Sequence, residues 1–147
     1  MVESIMVTCG MGEMKQKYEA ARDAGQYLII WDRNGNANTF FQYMEILNEM
    51  GKQKVAAAVG QGDMASNFKG LRSQWMTASK NGQCLCINMD KLTINWKEYK
   101  DDCFPCNDLF DFAHWRKPET YNTISNDEEK KTPMGDQMTT LMFNDKF

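Results

Sequence analysis

Three aspartates stand where strand-like runs give way to turns or helix starts. Asp32 follows Tyr27–Trp31, Asp63 follows Val55–Val59 and the Gly60-Gln61-Gly62 break, and Asp90 closes Cys84–Met89. In an open parallel sheet, ligands gather at the carboxyl ends of the strands. Carboxylates there, with water and phosphate, are what Mg²⁺ takes. The plain role of the same residues is structural, because short carboxylates accept hydrogen bonds from free N–H groups in turns and at helix starts. Cys84 and Cys86 form a C-x-C pair, and Cys103 and Cys106 a C-x-x-C pair, four thiolates that suit tetrahedral zinc. Against zinc, Cys84 and Cys86 share one face of a predicted strand, whereas tight turns are the usual source of such pairs. His114 is the sole histidine, so any Ser–His or Cys–His catalysis must pass through it. It lies among Phe110, Phe112, Trp115 and Arg116, a segment suited to closing a core or to docking a partner through Trp and Arg anchors.

Alternating elements must position these residues. Met14, Tyr18 and Ala21 recur at helical spacing within Glu13–Ala24, and Gly25 can end that helix with a positive φ. Tyr27–Trp31 is a short apolar run of the kind found in strands covered on both faces. After turn chemistry at Asp32–Asn38, a second helix is expected from Thr39, with Phe40, Met44 and Leu47 inward and Gly51 as its stop. Val55–Val59 reads as a second strand. Asp63 then caps a helix carrying Met64, Phe68, Leu71, Trp75 and Ala78, the strongest periodic stripe in the chain. Asn81-Gly82 ends it, and Cys84–Met89 is the third strand. A short helix is expected over Asp108–Trp115, ended by Pro118. Ser125–Gly135 is a polar loop, and Met138–Phe143 a final edge strand. The expected fold is a small three-layer α/β domain over 1–124, its short, mostly parallel sheet flanked by helices, with an irregular polar C-terminal extension over 125–147.

Two family resemblances fall on the first strand and loop. Asp32-Arg33-Asn34-Gly35-Asn36-Ala37-Asn38-Thr39 resembles the phosphate loop of P-loop nucleoside triphosphatases, G-x-x-x-x-G-K-[ST]. Only Thr39 matches. Asp32 and Ala37 replace both glycines and Asn38 replaces the lysine, so the phosphates lose their point charge and meet a carboxylate. The strand ending in Asp90 resembles the second motif of that family, which holds Mg²⁺ through water. The resemblance spans Gln26–Lys91 and implies an eroded site, with Asp32, Thr39 and Asp90 as a phosphate- and Mg-binding remnant. Ile29-Ile30-Trp31-Asp32-Arg33-Asn34-Gly35 resembles the opening of haloacid-dehalogenase-type phosphatases, D-x-D-G-[TV]. That resemblance implies Asp32 as nucleophile, but the general-acid position holds Asn34, an amide with no proton to give. No serine or threonine stands at the end of the second predicted strand. An EF-hand reading of Asp32, Asn34 and Asn36 fails on Ala37 and Tyr43, where the loop needs glycine and glutamate. Cys103-Phe104-Pro105-Cys106 is similar to thioredoxin-like dithiols, which occur earlier in their fold and have a longer downstream half.

Composition narrows the classes. The net charge of −3, without a Lys/Arg cluster beyond Arg116-Lys117 and Lys130-Lys131, argues against a nucleic-acid partner. No run approaches the roughly 20 apolar residues of a membrane helix, and Met1–Gly12 lacks a signal-peptide pattern. Five cysteines, an odd number, fit a reducing compartment better than a disulfide framework. The twelve methionines suit an adaptable core or a greasy contact surface. The expectation is a non-enzymatic structural or adaptor subunit that takes other protein subunits as partners and needs no cofactor. A P-loop-like core without its catalytic residues looks like small accessory proteins of the ciliary axoneme and related microtubule arrays. The alternative is an Mg-dependent phosphate-handling enzyme of haloacid-dehalogenase-like or nucleotide-binding type.

Overall fold

The computed structural model describes residues 6–93, 95–96 and 111–147. Helix α1 (Met14–Asp23) follows a 3-10 turn at Met11–Glu13 and gives way to Gly25, whose φ is +69°. Helix α2 (Asn36–Met44) leads directly into strand β1 (Ile46–Asn48). Helices α3 (Met50–Ala58) and α4 (Met64–Asn81) then carry the chain to strand β2 (Leu85–Ile87). A 3-10 turn at His114–Arg116 precedes the last helix, α5 (Pro118–Ile124). The described part is thus mixed and mostly helical, with a two-stranded parallel sheet in the register Ile46↔Leu85, Leu47↔Cys86 and Asn48↔Ile87.

Helix α4 has clear chemical stops. The Asp63 carboxylate accepts from the backbone N–H groups of Ala65 and Ser66 at 3.2 and 3.0 Å, which satisfies donors that the helix leaves free. At the other end Gly82 takes φ +68° and its N–H closes on the Ala78 carbonyl. Between them Phe68, Leu71, Trp75 and Ala78 are buried, as the stripe predicts; Met64 is half-buried, and Met76, outside the stripe, is buried as well. Phe68, Leu71, Trp75 and Met76 gather with Met50, Trp115, Ile124 and Leu141 into the main core. Leu85 and Ile87 of β2 pack against that core. Cys84 and Cys86, one residue out of phase, pack instead with Leu47 on a smaller cluster of Met14, Ala37 and Phe41. That alternation follows from the period of two along a strand.

Several expectations are corrected. Tyr27–Trp31 pairs with no strand among the described residues; Ile29 is 92% and Trp31 81% exposed, while Ile30 alone turns in against the smaller cluster. The parallel partner of β2 is Ile46–Asn48, a stretch expected within the second helix. That helix ends at Met44 because Glu45 swings into extended backbone. Its buried face is Ala37 and Phe41; Phe40 is only half-buried and Met44 is exposed. Val55–Val59 lies in and just after α3, where Ala56, Ala57 and Ala58 favour helix over strand. Val55 and Val59, four apart, are left exposed. Pro118 starts a helix rather than ending one, since the first helical position needs no N–H. Of the helix expected at Asp108–Trp115, residues 108–110 lie outside the described residues, and its end is the 3-10 turn. Met138–Phe143 forms no strand, although Leu141 fills the main core.

Candidate functional site

The Asp32 and Asp63 carboxylates are occupied with nearby backbone, and Asp90 stands in a turn held through its own N–H. Asp32 accepts from the N–H groups of Asn34 at 2.8 Å and Ala37 at 2.6 Å, which ties the turn to the first residues of α2. These bonds hold its carboxyl below the usual aspartate range. Asp63 is the cap already described, and its carboxyl is likewise lowered, first by the Ser66 hydroxyl and then by the two N–H groups. Asp90 sits at φ +54°, a left-handed turn in which its own N–H donates to Asn88 Oδ1 at 2.8 Å. Thr39 is exposed on α2. Among the described residues no three His, Cys, Asp or Glu side chains converge on a point where a metal would sit.

The carboxyl end of the strand pair is closed by packing. Gly51, in the first turn of α3, donates its N–H to the Asn88 carbonyl at 2.9 Å. A Cβ at that position would lie 2.5 Å from the Met89 carbonyl oxygen. The loop after β2 therefore covers the start of α3, where an open cradle would be needed for a phosphate. Beside it Gln42, Leu47, Glu49 and Lys52 line an open depression of about 340 Å³, with Glu49 and Lys52 paired to each other.

Cys84 and Cys86 lie on the side of the sheet that faces Met14, Ala37 and Phe41. Burial pushes the Cys84 thiol up to about 12, helped by Cys86 and Glu45, and the Cys86 thiol up to about 11. Both are protonated at neutral pH, which suits core packing and makes them slow nucleophiles. Cys103 and Cys106, the other half of the expected zinc set, lie outside the described residues.

The aromatic segment divides. Phe110 lies outside the described residues. Trp115 is 1% exposed and packs on Trp75, ring centroids 5.6 Å apart, so it is a core residue. His114 stands edge-on to Trp115. The Arg116 guanidinium lies 3.3 Å from the centre of the Phe112 ring and donates to the carbonyls of Phe112 and Phe147 at 3.2 and 2.7 Å. Tyr27 meets the same Phe112 ring edge-on at 5.4 Å.

Two polar arrangements escape the sequence reading. The Tyr18 hydroxyl of α1 donates to the Glu45 carboxylate, which also accepts from the Cys84 N–H at 2.9 Å. Burial, then Glu45, raises the Tyr18 hydroxyl. Asn48, 1% exposed at the end of β1, donates to Gln74 Oε1 at 2.6 Å. A charged or amide residue inside an apolar stretch was the available signal, but it does not name the partner. No family model, curated protein or solved structure matches the chain at a significant level.

Proposed function

We propose that the protein is a non-enzymatic structural or adaptor subunit of a larger intracellular assembly, binding other protein subunits rather than nucleic acid or membrane. The observation that carries this reading is the Tyr27–Trp31 segment. It forms neither helix nor strand and carries no charge, and it holds Ile29 and Trp31 almost fully in solvent. From Leu28 to Trp31 its backbone makes no hydrogen bond among the described residues. Monomeric proteins shield such edges with charge, proline or a covering element, because open N–H and C=O groups beside apolar side chains attract another chain. An added strand from a partner would satisfy both needs at once.

The reading includes an eroded P-loop-like scaffold in three layers, with Asp32, Thr39 and Asp90 kept as turn and surface residues. The alternate packing of β2 against the two clusters supports the layering. It also includes a cytoplasmic location, with the cytoskeleton or cilium as the setting for the assembly. Among the described residues no helix is long and apolar enough to cross a membrane.

Sedimentation of the endogenous protein from a gentle lysate tests the proposal. Migration with a large assembly is expected, and Ile29→Asp with Trp31→Ala should move the chain to the free fraction while it stays folded. Mg²⁺-dependent turnover of p-nitrophenyl phosphate that disappears in Asp32→Asn would overturn the reading in favour of a phosphatase. Nucleotide binding that falls in Thr39→Ala with Asp90→Ala would overturn it in favour of a nucleotide-binding regulator.

A further inference from the structure

Residues 141–147 are held as a bound peptide is held. They form neither helix nor strand. Instead, four hydrogen bonds from other parts of the molecule engage their backbone. Asn122 Oδ1 accepts from the Leu141 N–H at 2.7 Å, and the Ser79 carbonyl accepts from the Asn144 N–H at 2.7 Å. Arg22 donates to the Lys146 carbonyl at 2.6 Å, and Arg116 to the Phe147 carbonyl at 2.7 Å. The side chains supply anchors between these bonds. Leu141 is buried, Phe143 stacks on Tyr121 at 4.8 Å with the rings 14° apart, and Phe147 meets Trp75 edge-on at 5.4 Å. Met142, Asp145 and Lys146 face solvent. Main-chain bonds for affinity and alternate pockets for side chains are how extended peptides are recognised.

The chain that leads into this segment is unlike it. Residues 133–140 are all exposed, and the antiparallel contact of Lys131 with Gln137 is an isolated bridge. Nothing in that stretch is built into the core, so a docked segment follows a connection that could be re-laid.

We infer that the cleft formed by α4, α5 and the His114–Arg116 turn is a peptide site, filled in cis by residues 141–147 and able to take the same segment from a second copy of this chain. Each copy carries both halves of the contact, so two copies can exchange segments about a two-fold axis and bury the same surfaces twice. At low concentration the tethered segment wins, because its effective concentration is on the order of millimolar. The inference is independent of the Tyr27–Trp31 surface.

Two full-length variants separate the halves. Phe143→Ala with Phe147→Ala leaves the cleft without anchors of its own, and Tyr121→Ala with Arg116→Ala keeps the segment but spoils the cleft. Each alone should sediment as a single chain, and their mixture at double that mass. A fluorescent peptide of residues 139–147 should bind the first variant at least tenfold more tightly than the unaltered chain, whose own segment competes. The same peptide with alanine at 143 and 147 should not bind. Two folded variants that stay apart on mixing overturn the exchange, as does a peptide that binds while the mixture remains single chains. If circular dichroism shows that either double variant has lost its fold, Phe147→Ala and Arg116→Gln replace them. Failure of that pair to associate, both folded, overturns the inference equally.

Discussion

The α4 stripe and the Tyr27–Trp31 run are equally apolar on paper and end in opposite environments. Trp75 is 4% exposed and meets Trp115, Phe143 and Phe147. Trp31, in the other run, is 81% exposed, with the Arg33 guanidinium 5.9 Å from its ring centre. The stripe is buried because a helix keeps its hydrogen bonds to itself, so it needs only apolar neighbours. A strand must also find a backbone partner, and the place beside β2 is taken by Ile46–Asn48. Apolar content therefore shows that a segment prefers cover; whether the cover comes from its own chain depends on which segment holds the place beside β2.

The sharpest way to break this contrast is to cut one tryptophan from the packed side. Trp75→Ala should lower stability by about 3–5 kcal/mol, the range for emptying a large aromatic site, read from the denaturant midpoint. An unchanged midpoint would mean that α4 is not the centre of the core. Next comes the contact that locks the sheet's carboxyl end. Gly51→Ala places a methyl within 2.5 Å of the Met89 carbonyl oxygen, and the backbone shift it forces should cost about 1–3 kcal/mol. Stability equal to that of the unaltered chain would show room there, and so reopen the question of a phosphate site.

A smaller effect tests the cap that sets the start of α4. The folded chain holds the Asp63 carboxyl below the ordinary aspartate value of 3.8. Its contribution is therefore complete above that value and disappears as pH falls through the depressed folded value. Asp63→Asn keeps an acceptor but no charge, so the gap in melting temperature between the two proteins should be largest at neutral pH. It should close on acidification. A gap that does not change with pH would remove the charge of Asp63 from the account. The smallest effect belongs to the exposed run, where Ile29→Asp should change the stability of the isolated chain by no more than about 0.5 kcal/mol. A large loss there would mean that the segment is part of the core after all.

Much of the helical framework was legible in the residues. The first helix and the long α4 follow from apolar spacing and from punctuation by Gly25, Asp63 and Gly82. Cys84–Met89 was legible as a strand because a short apolar run sits between a glycine stop and an aspartate turn. The three mistaken strands share one cause. Tyr27–Trp31, Val55–Val59 and Met138–Phe143 are short, and at that length periodicity cannot tell a strand from a piece of helix or an extended coil. The candidate site was legible only as residue types. Asp32, Asp63 and Asp90 stand at turns as read, but the Asp32 and Asp63 oxygens serve nearby backbone, and Trp115, read as either core or docking anchor, is core.

By itself the sequence determined where α1 and α4 begin and end and which face of α4 is greasy, because caps, glycines and i, i+4 spacing act over a few residues. It determined that Asp32 and Asp63 would satisfy local N–H groups for the same reason. Only the tertiary structure decided that Ile46–Asn48, rather than Tyr27–Trp31, pairs with β2, and that Glu45 joins α1 to the Cys84 backbone. It alone decided that residues 141–147 lie in a cleft walled by residues from α4, α5 and the 114–116 turn. Those outcomes are contests between segments far apart in the chain, and the winner depends on how much backbone and apolar surface each can satisfy together.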